Sequence, residues 1–274
     1  MDKRMVLLKL HYLALEVHEI QRIFRHLNNH PTWSKAQVIQ ALGPLYERYR
    51  ALKDEEMVRE LRRNQVDYLT IYDPHYPEAL RTLYRPPLVL FYQGDIQLLK
   101  ERKMAVVGSR TPTLYGEQAC IYFVRELVRK GVCIVSGLAR GIDGLAHREA
   151  IRSGGKTIAV LGSGILNIYP KAHQELAGTI AEKHLLISEY PPFEPPRKTH
   201  FPFRNRIVSG LSEGVLVIEA AKRSGTLITC DFALEQGKDV YAVPGSIFSE
   251  KSRGTNELIQ QGAKLVQTIE DILV

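Results

Sequence analysis

From Val66 onward the chain alternates short β-branched runs with segments of helical spacing. The runs are Leu88–Tyr92, Ala105–Val107, Val132–Val135, Thr157–Leu161, Leu185–Ser188, Val215–Ile218, Val240–Val243 and Lys264–Val266. Most are continuous apolar blocks, as strands covered on both faces require. Between them, stretches such as Tyr115–Lys130 and Asp143–Ser153 carry apolar residues at a helical period. Strand–helix alternation of this kind predicts an α/β fold with a doubly wound, mostly parallel sheet. No internal repeat or low-complexity tract interrupts it.

Residues 1–64 read differently. Leu7, Leu8, Leu10, Leu13 and Leu15 crowd a first segment, and Ile20, Ile23, Phe24 and Leu27 then recur at helical spacing. Asn28-Asn29-His30-Pro31 breaks the pattern, Ser34 can cap a helix holding Val38, Ile39 and Leu42, and further helical segments follow at 45–53 and 55–63. The expected organisation is a small all-helical N-terminal domain over 1–64 and the α/β domain over 65–274. A turn-rich connector, Tyr72-Asp73-Pro74-His75-Tyr76-Pro77, lies near the junction.

Thirty-seven Lys and Arg against 30 Asp and Glu leave a net charge of +7, which favours a polyanionic partner without naming it. The cysteines Cys120, Cys133 and Cys230 are odd in number, widely spaced and contain no CxxC pair. They argue against a disulfide framework or a zinc site and for a reducing cytosol. Lys9, His11 and Glu16 interrupt the first apolar stretch, so a signal peptide is not expected. No run approaches the roughly 20 apolar residues of a membrane span.

In a doubly wound sheet, ligands bind beyond the carboxyl ends of the strands. The residues there are small: Gly108-Ser109-Arg110, Ser136-Gly137-Leu138-Ala139-Arg140-Gly141, Gly162-Ser163-Gly164, Ser224-Gly225-Thr226 and Pro244-Gly245-Ser246. Small residues let backbone N–H groups at helix N-termini approach an anion. Arg110, Arg140, Lys171, Lys222 and Arg223 add full charges along the same edge. Any one of these loops serves equally well as a tight turn; their repetition beside basic residues points to phosphate. The segment Arg197-Lys198-Thr199-His200-Phe201-Pro202-Phe203-Arg204-Asn205-Arg206 adds four cations and two aromatic rings, with no acidic residue between Glu194 and Glu213. Cations that follow a backbone and a ring that stacks on a base suit an unpaired strand. Phe201, next to the basic run, is the expected contact, and Phe203 the expected core residue.

Catalytic patterns are incomplete. Gly155-Lys156-Thr157 has Ala150 where a P-loop needs glycine, and it precedes a strand instead of following one. Gly162-Ser163-Gly164 begins a dinucleotide fingerprint that ends in Asn167. Asp143 and His147 lie four apart, but Asp143 as a helix N-cap is the simpler reading. No compact metal-ligand cluster is present, so neither metal nor cofactor is expected.

The ordered strings Val106–Arg110, Ser136–Asp143, Phe201–Arg206, Ser224–Thr229, Ala242–Gly245 and Gly254–Ala263 resemble the DNA-processing A (DprA/Smf) family over about residues 72–266. The resemblance implies an extended Rossmann-like domain that binds single-stranded DNA, forms a homodimer and delivers the strand to the RecA recombinase during natural transformation, with single-strand-binding protein as a further partner. The helical module is similar to the family's sterile-alpha-motif-like or helix-hairpin-helix-like domain. A winged-helix-like C-terminal domain is not expected, the chain stopping at Val274. Carried onto this sequence, Arg110, Lys198 and Arg204 belong to the DNA pocket. The expected groove comprises Gly108, Ser109, Arg110, Arg140, Lys171, Arg197, Lys198, Phe201, Arg204 and Arg206. In it Arg110, Lys171, Lys198 and Arg204 hold phosphates, the N–H groups of Gly108 and Ser109 assist, and Phe201 stacks on a base. Leu258, Ile259 and Leu265 are the expected dimer contacts. The rival reading is a nucleotide-hydrolysing enzyme similar to the lysine-decarboxylase-like phosphoribohydrolases. Against it, Arg223-Ser224-Gly225-Thr226-Leu227-Ile228-Thr229 puts Thr229 where that family's loop carries a catalytic glutamate.

Overall fold

The fold is seen in a computed structural model that describes residues 1–273. Five helices come first: α1 (Lys3–Tyr12), α2 (Val17–Asn28), α3 (Lys35–Leu42), α4 (Tyr46–Ala51) and α5 (Asp54–Arg63). Ser34 caps α3 as its sequence position suggests: its hydroxyl accepts from Gln37 N–H while the Gln37 side chain reaches back to Ser34 N–H. In α5 three acids, Asp54, Glu55 and Glu56, open the helix and Arg62 and Arg63 close it, matching the helix dipole at both ends.

The α/β part follows as β1 (Asp67–Thr70), α6 (Glu78–Arg81), β2 (Val89–Gly94), β3 (Lys103–Val107), α7 (Leu114–Arg129), β4 (Cys133–Ser136), α8 (Ile142–Arg152) and β5 (Thr157–Leu161). Then come α9 (Gln174–Lys183), β6 (Leu185–Ser188), α10 (His200–Leu211), β7 (Gly214–Val217), α11 (Gly225–Glu235), β8 (Asp239–Ala242), α12 (Arg253–Gln260) and β9 (Lys264–Leu265). All nine strands share one sheet in the order β1-β2-β6-β5-β4-β3-β7-β8-β9. From β6 to β9 every pairing is parallel; β2 runs antiparallel to β6, and β1 antiparallel to β2. The mostly parallel, doubly wound expectation holds. β1 corrects it: Asp67–Thr70 is a strand paired with Val89–Tyr92, where the sequence reading had none.

The strands are apolar because both faces are covered. Successive residues of β3 feed different cores: Met104 and Val106 join α7 and α8 residues such as Phe123, Leu127 and Ile142, while Ala105 and Val107 join the opposite face. That opposite core continues through β2 into Leu7, Leu27 and Trp33, so the helical module and the sheet share one apolar cluster. Cys120, Cys133 and Cys230 are buried and unpaired. Among the described residues no helix is long and apolar enough to cross a membrane.

The topology positions a crevice. From β3 the chain steps outward through β4, β5 and β6, then returns through α10 to start β7 on the other side of β3. The loops after β3 and β7 diverge there, which leaves a cleft at the carboxyl ends of the strands.

Candidate nucleic-acid interface

A cleft of about 410 Å³ occupies this switch point. The loop after β3 supplies Gly108, Ser109, Arg110 and Thr111, and the loop after β4 supplies Gly137 and Ala139. The turn into α11 supplies Arg223, Ser224 and Thr226, and Lys251 reaches in from the segment after β8. One wall is a face of α10: Phe201, Arg204, Asn205 and Val208 fall at helical spacing and all line the cleft.

The loops are locked together. Ser109 N–H donates to Glu219 O at 2.7 Å, Thr226 Oγ1 to Gly108 O at 3.0 Å, and Ile142 N–H to Ser109 O at 3.1 Å. The buried Glu219 carboxylate accepts from Thr113 N–H at 2.9 Å and from Thr113 Oγ1 at 2.6 Å, pinning the start of α7. Gly141, at φ +72°, passes so close to Ser109 that a Cβ there would lie 2.2 Å from Ser109 O. Only glycine combines that conformation with that approach.

Four cationic side chains and one carboxylate, Asp143, line the cleft. Arg110 and Arg223 are exposed and have no ion-pair partner among the described residues. Lys251 Nζ sits on the hydroxyls of Thr111 and Ser109, the latter at 3.3 Å. Arg204, 4 % exposed, forms the floor. Its Nη1 donates to Gly137 O at 2.6 Å and to Val160 O, and its Nε donates to Asn205 Oδ1 at 3.1 Å. These bonds leave Nη2 for a ligand. Burial pushes the Arg204 guanidinium down from its ordinary value, opposed by the charge of Asp143. Burial likewise pushes Asp143 up, opposed by Arg204 and by the Gly137 N–H that donates to Oδ2 at 3.1 Å. Gly137 lies between them: a Cβ there would be 2.4 Å from Arg204 Nη2 and 2.7 Å from Asp143 Oδ2. The floor therefore holds one cation and one carboxylate with Gly137 between them, and the net positive character comes from the rim.

The cleft brings together Gly108, Ser109, Arg110, Phe201 and Arg204 from the expected groove. Lys171, Lys198 and Arg140 are exposed outside its lining. Lys171 begins a 3-10 turn whose His173 bonds Leu138 O, and Tyr169 just before it packs on Phe201 with ring centroids 5.4 Å apart. Phe201 can approach the strand ends because Gly162 has no side chain; a Cβ there would lie 2.6 Å from its ring.

Four expectations are corrected. Arg206 is 2 % exposed and donates through Nη2 to both oxygens of buried Glu189, at 2.7 and 2.9 Å, with its guanidinium 3.9 Å from the Phe203 ring centre. It holds the fold and cannot reach a strand. Arg197 is taken by Glu16 at 3.1 Å and Glu194 at 2.7 Å, tying the proline-rich segment to α2. Ser109 N–H is spent on Glu219 O, so only its hydroxyl faces the cleft, whereas Gly108 N–H has no bond to protein among the described residues. Asp143 is not the N-cap of α8, a position held by Gly141; it lies within the first turn and faces Gly137. At the other end of the sheet, Leu258 packs against the core, Ile259 is half-buried, and Leu265 is 44 % exposed on β9. The sequence reading missed Lys251, which lies nine residues beyond the end of β8 and carries no local motif.

Residues 67–274 match the family model of DNA recombination-mediator protein A. The chain is 49% identical over 212 residues to DNA processing protein DprA of Bacillus subtilis, covering 77% of this chain and 71% of that protein. The X-ray structure of DprA from Streptococcus pneumoniae superposes with a TM-score of 0.90 at 41% identity, over 99% of this chain and 97% of that one. A structure of DNA processing protein A from Helicobacter pylori, described for its single-stranded DNA binding mode, superposes with a TM-score of 0.69 at 34% identity, over 75% of this chain and 94% of that one.

Proposed function

The chain belongs to the DNA recombination-mediator protein A family, and from that membership we propose that it binds single-stranded DNA in the cleft beyond β3, β4 and β7. One observation carries the reading: Arg110, Arg223 and Lys251 converge on the rim while Arg204 offers one free guanidinium nitrogen from the floor. The single carboxylate facing them is already bonded to Gly137 N–H. Phosphates bind along this row, Phe201 stacks on a base, and Lys171 and Lys198 extend the path outside the cleft. A duplex binds less well because its bases are already stacked. In the cell the protein protects incoming single strands in the cytosol, exchanges with single-strand-binding protein and loads RecA during natural transformation.

An oligo(dT) titration with a parallel assay for base release from nucleoside monophosphates tests this. Binding without turnover is expected, since Thr229 supplies no carboxylate to the cleft; free base would favour the hydrolase. With about four phosphates neutralised, log affinity falls with log salt at a slope of about −3. A slope near zero would remove the phosphate row.

Family membership also supports a homodimer. Leu265 on β9, the edge strand among the described residues, and Ile259 on α12 supply its apolar contact, and two clefts on one strand raise avidity. Light scattering at micromolar concentration is expected to give twice the 31.1 kDa chain mass; the single-chain mass would contradict the dimer.

A further inference from the structure

The cations of the cleft come from several strand ends, and Lys251 folds back from the loop after β8 to set its ammonium on Ser109 and Thr111, beside Arg110. Arg204 bonds carbonyls at the ends of β4 and β5, Arg110 follows β3, Arg223 follows β7 and Lys251 follows β8. Phe201 stands at the end of β5, against Gly162. A single strand laid across these strand ends meets several cations in succession.

The loop after β8 carries Lys251 into the cleft and bears a second exposed group. Phe248 there is 91 % exposed, the highest value among the large apolar side chains left uncovered. It lies three residues from Lys251, within about 11 Å of chain. The loop is held at both ends. Gly245 and Asn256 clasp each other through two hydrogen bonds, at 3.1 and 3.0 Å, and Phe248 N–H donates to Ser246 Oγ at 3.2 Å. Ser249 N–H and Ser252 N–H close successive turns, and Lys251 is moored to Ser109 and Thr111. Its one carboxylate, Glu250, is paired with Arg253 at 2.8 Å. An uncovered ring on a fixed loop beside a cationic row is shaped for a flat, apolar ligand attached to a phosphate chain.

We infer that Phe248 is a second base-stacking platform, which takes a nucleobase of the single strand where it leaves the cleft past Lys251. Phe201 inside the cleft and Phe248 on the loop that carries Lys251 then offer two rings to one strand. This rests on the cleft being the strand-binding site. The two ideas separate in one experiment on the full chain with oligo(dT) of about twelve nucleotides, using Phe248→Ala, Phe248→Trp and Arg110→Glu. Phe248→Ala is expected to weaken binding roughly tenfold, the loss of one stacked base, with an unchanged melting temperature because the ring is almost wholly exposed. In Phe248→Trp the oligo is expected to quench the new indole, against the constant emission of Trp33, which is 1 % exposed in the helical module. Loss of binding in Arg110→Glu, with full binding in Phe248→Ala and no quenching, would overturn the platform and leave the cleft standing. Unchanged binding in Arg110→Glu would remove the cleft itself. A change of particle mass in Phe248→Ala with unaltered oligo affinity would make the ring a contact between copies of the chain, and would also overturn the platform.

Discussion

Arg206→Ala is expected to lower the stability of the fold by about 3–5 kcal/mol, the cost of removing one partner from a buried ion pair. Arg206 and Glu189 are 2 % and 3 % exposed at their side chains. Nη2 alone carries both hydrogen bonds to the carboxylate; Nε and Nη1 are buried without an acceptor, and the guanidinium face rests on Phe203. Burial already pushes Glu189 up from the usual carboxylate range, with Arg206 opposing. Without the arginine the carboxylate must either stay charged in an apolar setting or take up a proton, and both cost stability. The joint variant Glu189→Gln with Arg206→Met is expected to recover most of the loss, because neither charge is then buried alone. Urea unfolding checks both results, and a loss under about 1 kcal/mol for Arg206→Ala would mean the pair behaves like an exposed one such as Arg102–Glu213. The joint variant should also keep its affinity for oligo(dT), which separates a role in the fold from a role in binding.

The Arg204–Arg206 contrast shows what the sequence made legible. Both arginines sit in one basic, aromatic stretch, and composition alone treats them alike. On a helix, residues two apart point about 200° apart. Phe201, Arg204, Asn205 and Val208 share the face turned to the cleft, so Arg206 must turn away, toward Glu189. That period was present in the sequence and would have separated them once the segment was read as helical. The strands of the sheet were visible for a different reason: burial on both faces makes them continuous apolar blocks, as in β4 and β5. β1 escaped because it is an edge strand whose burial rises only along its length, from exposed Asp67 to buried Thr70, and its polar residues blend into the turn that follows. The antiparallel direction of β2 is likewise not written in its composition. The glycine loops and Arg110 could be placed because topology puts every βα loop at one edge. Lys251 could not, since its place in the cleft depends on how the long loop after β8 folds back over Thr111. The fate of Arg197 depends on Glu16, 181 residues away in sequence, a contact no local pattern encodes.

Arg110→Glu combined with Arg223→Glu is expected to abolish binding of oligo(dT) while the protein stays folded. Each arginine is exposed and free of ion pairs among the described residues, so reversal removes no contact from the core. A hydrogen bond to a charged group contributes roughly 1.5–3 kcal/mol. Losing two therefore weakens binding by about 10² to 10⁴-fold, and the introduced carboxylates add repulsion beside Asp143. The salt slope of any residual binding should fall to about half its original size, since about two phosphate contacts remain. Arg204 is the wrong residue for this test despite its place on the floor. Its Nη1 satisfies Gly137 O and Val160 O, so Arg204→Ala would strand two carbonyls and leave Asp143 without its opposing charge, and lost affinity would not be separable from a damaged cleft. Lys198→Glu provides the counterweight: it lies outside the lining, and its reversal should cost less than either rim arginine. Anisotropy titrations with a labelled oligo(dT), alongside thermal melts, read all of these. If the double reversal binds within threefold of the parent, the positive rim of the cleft is not where the strand lies.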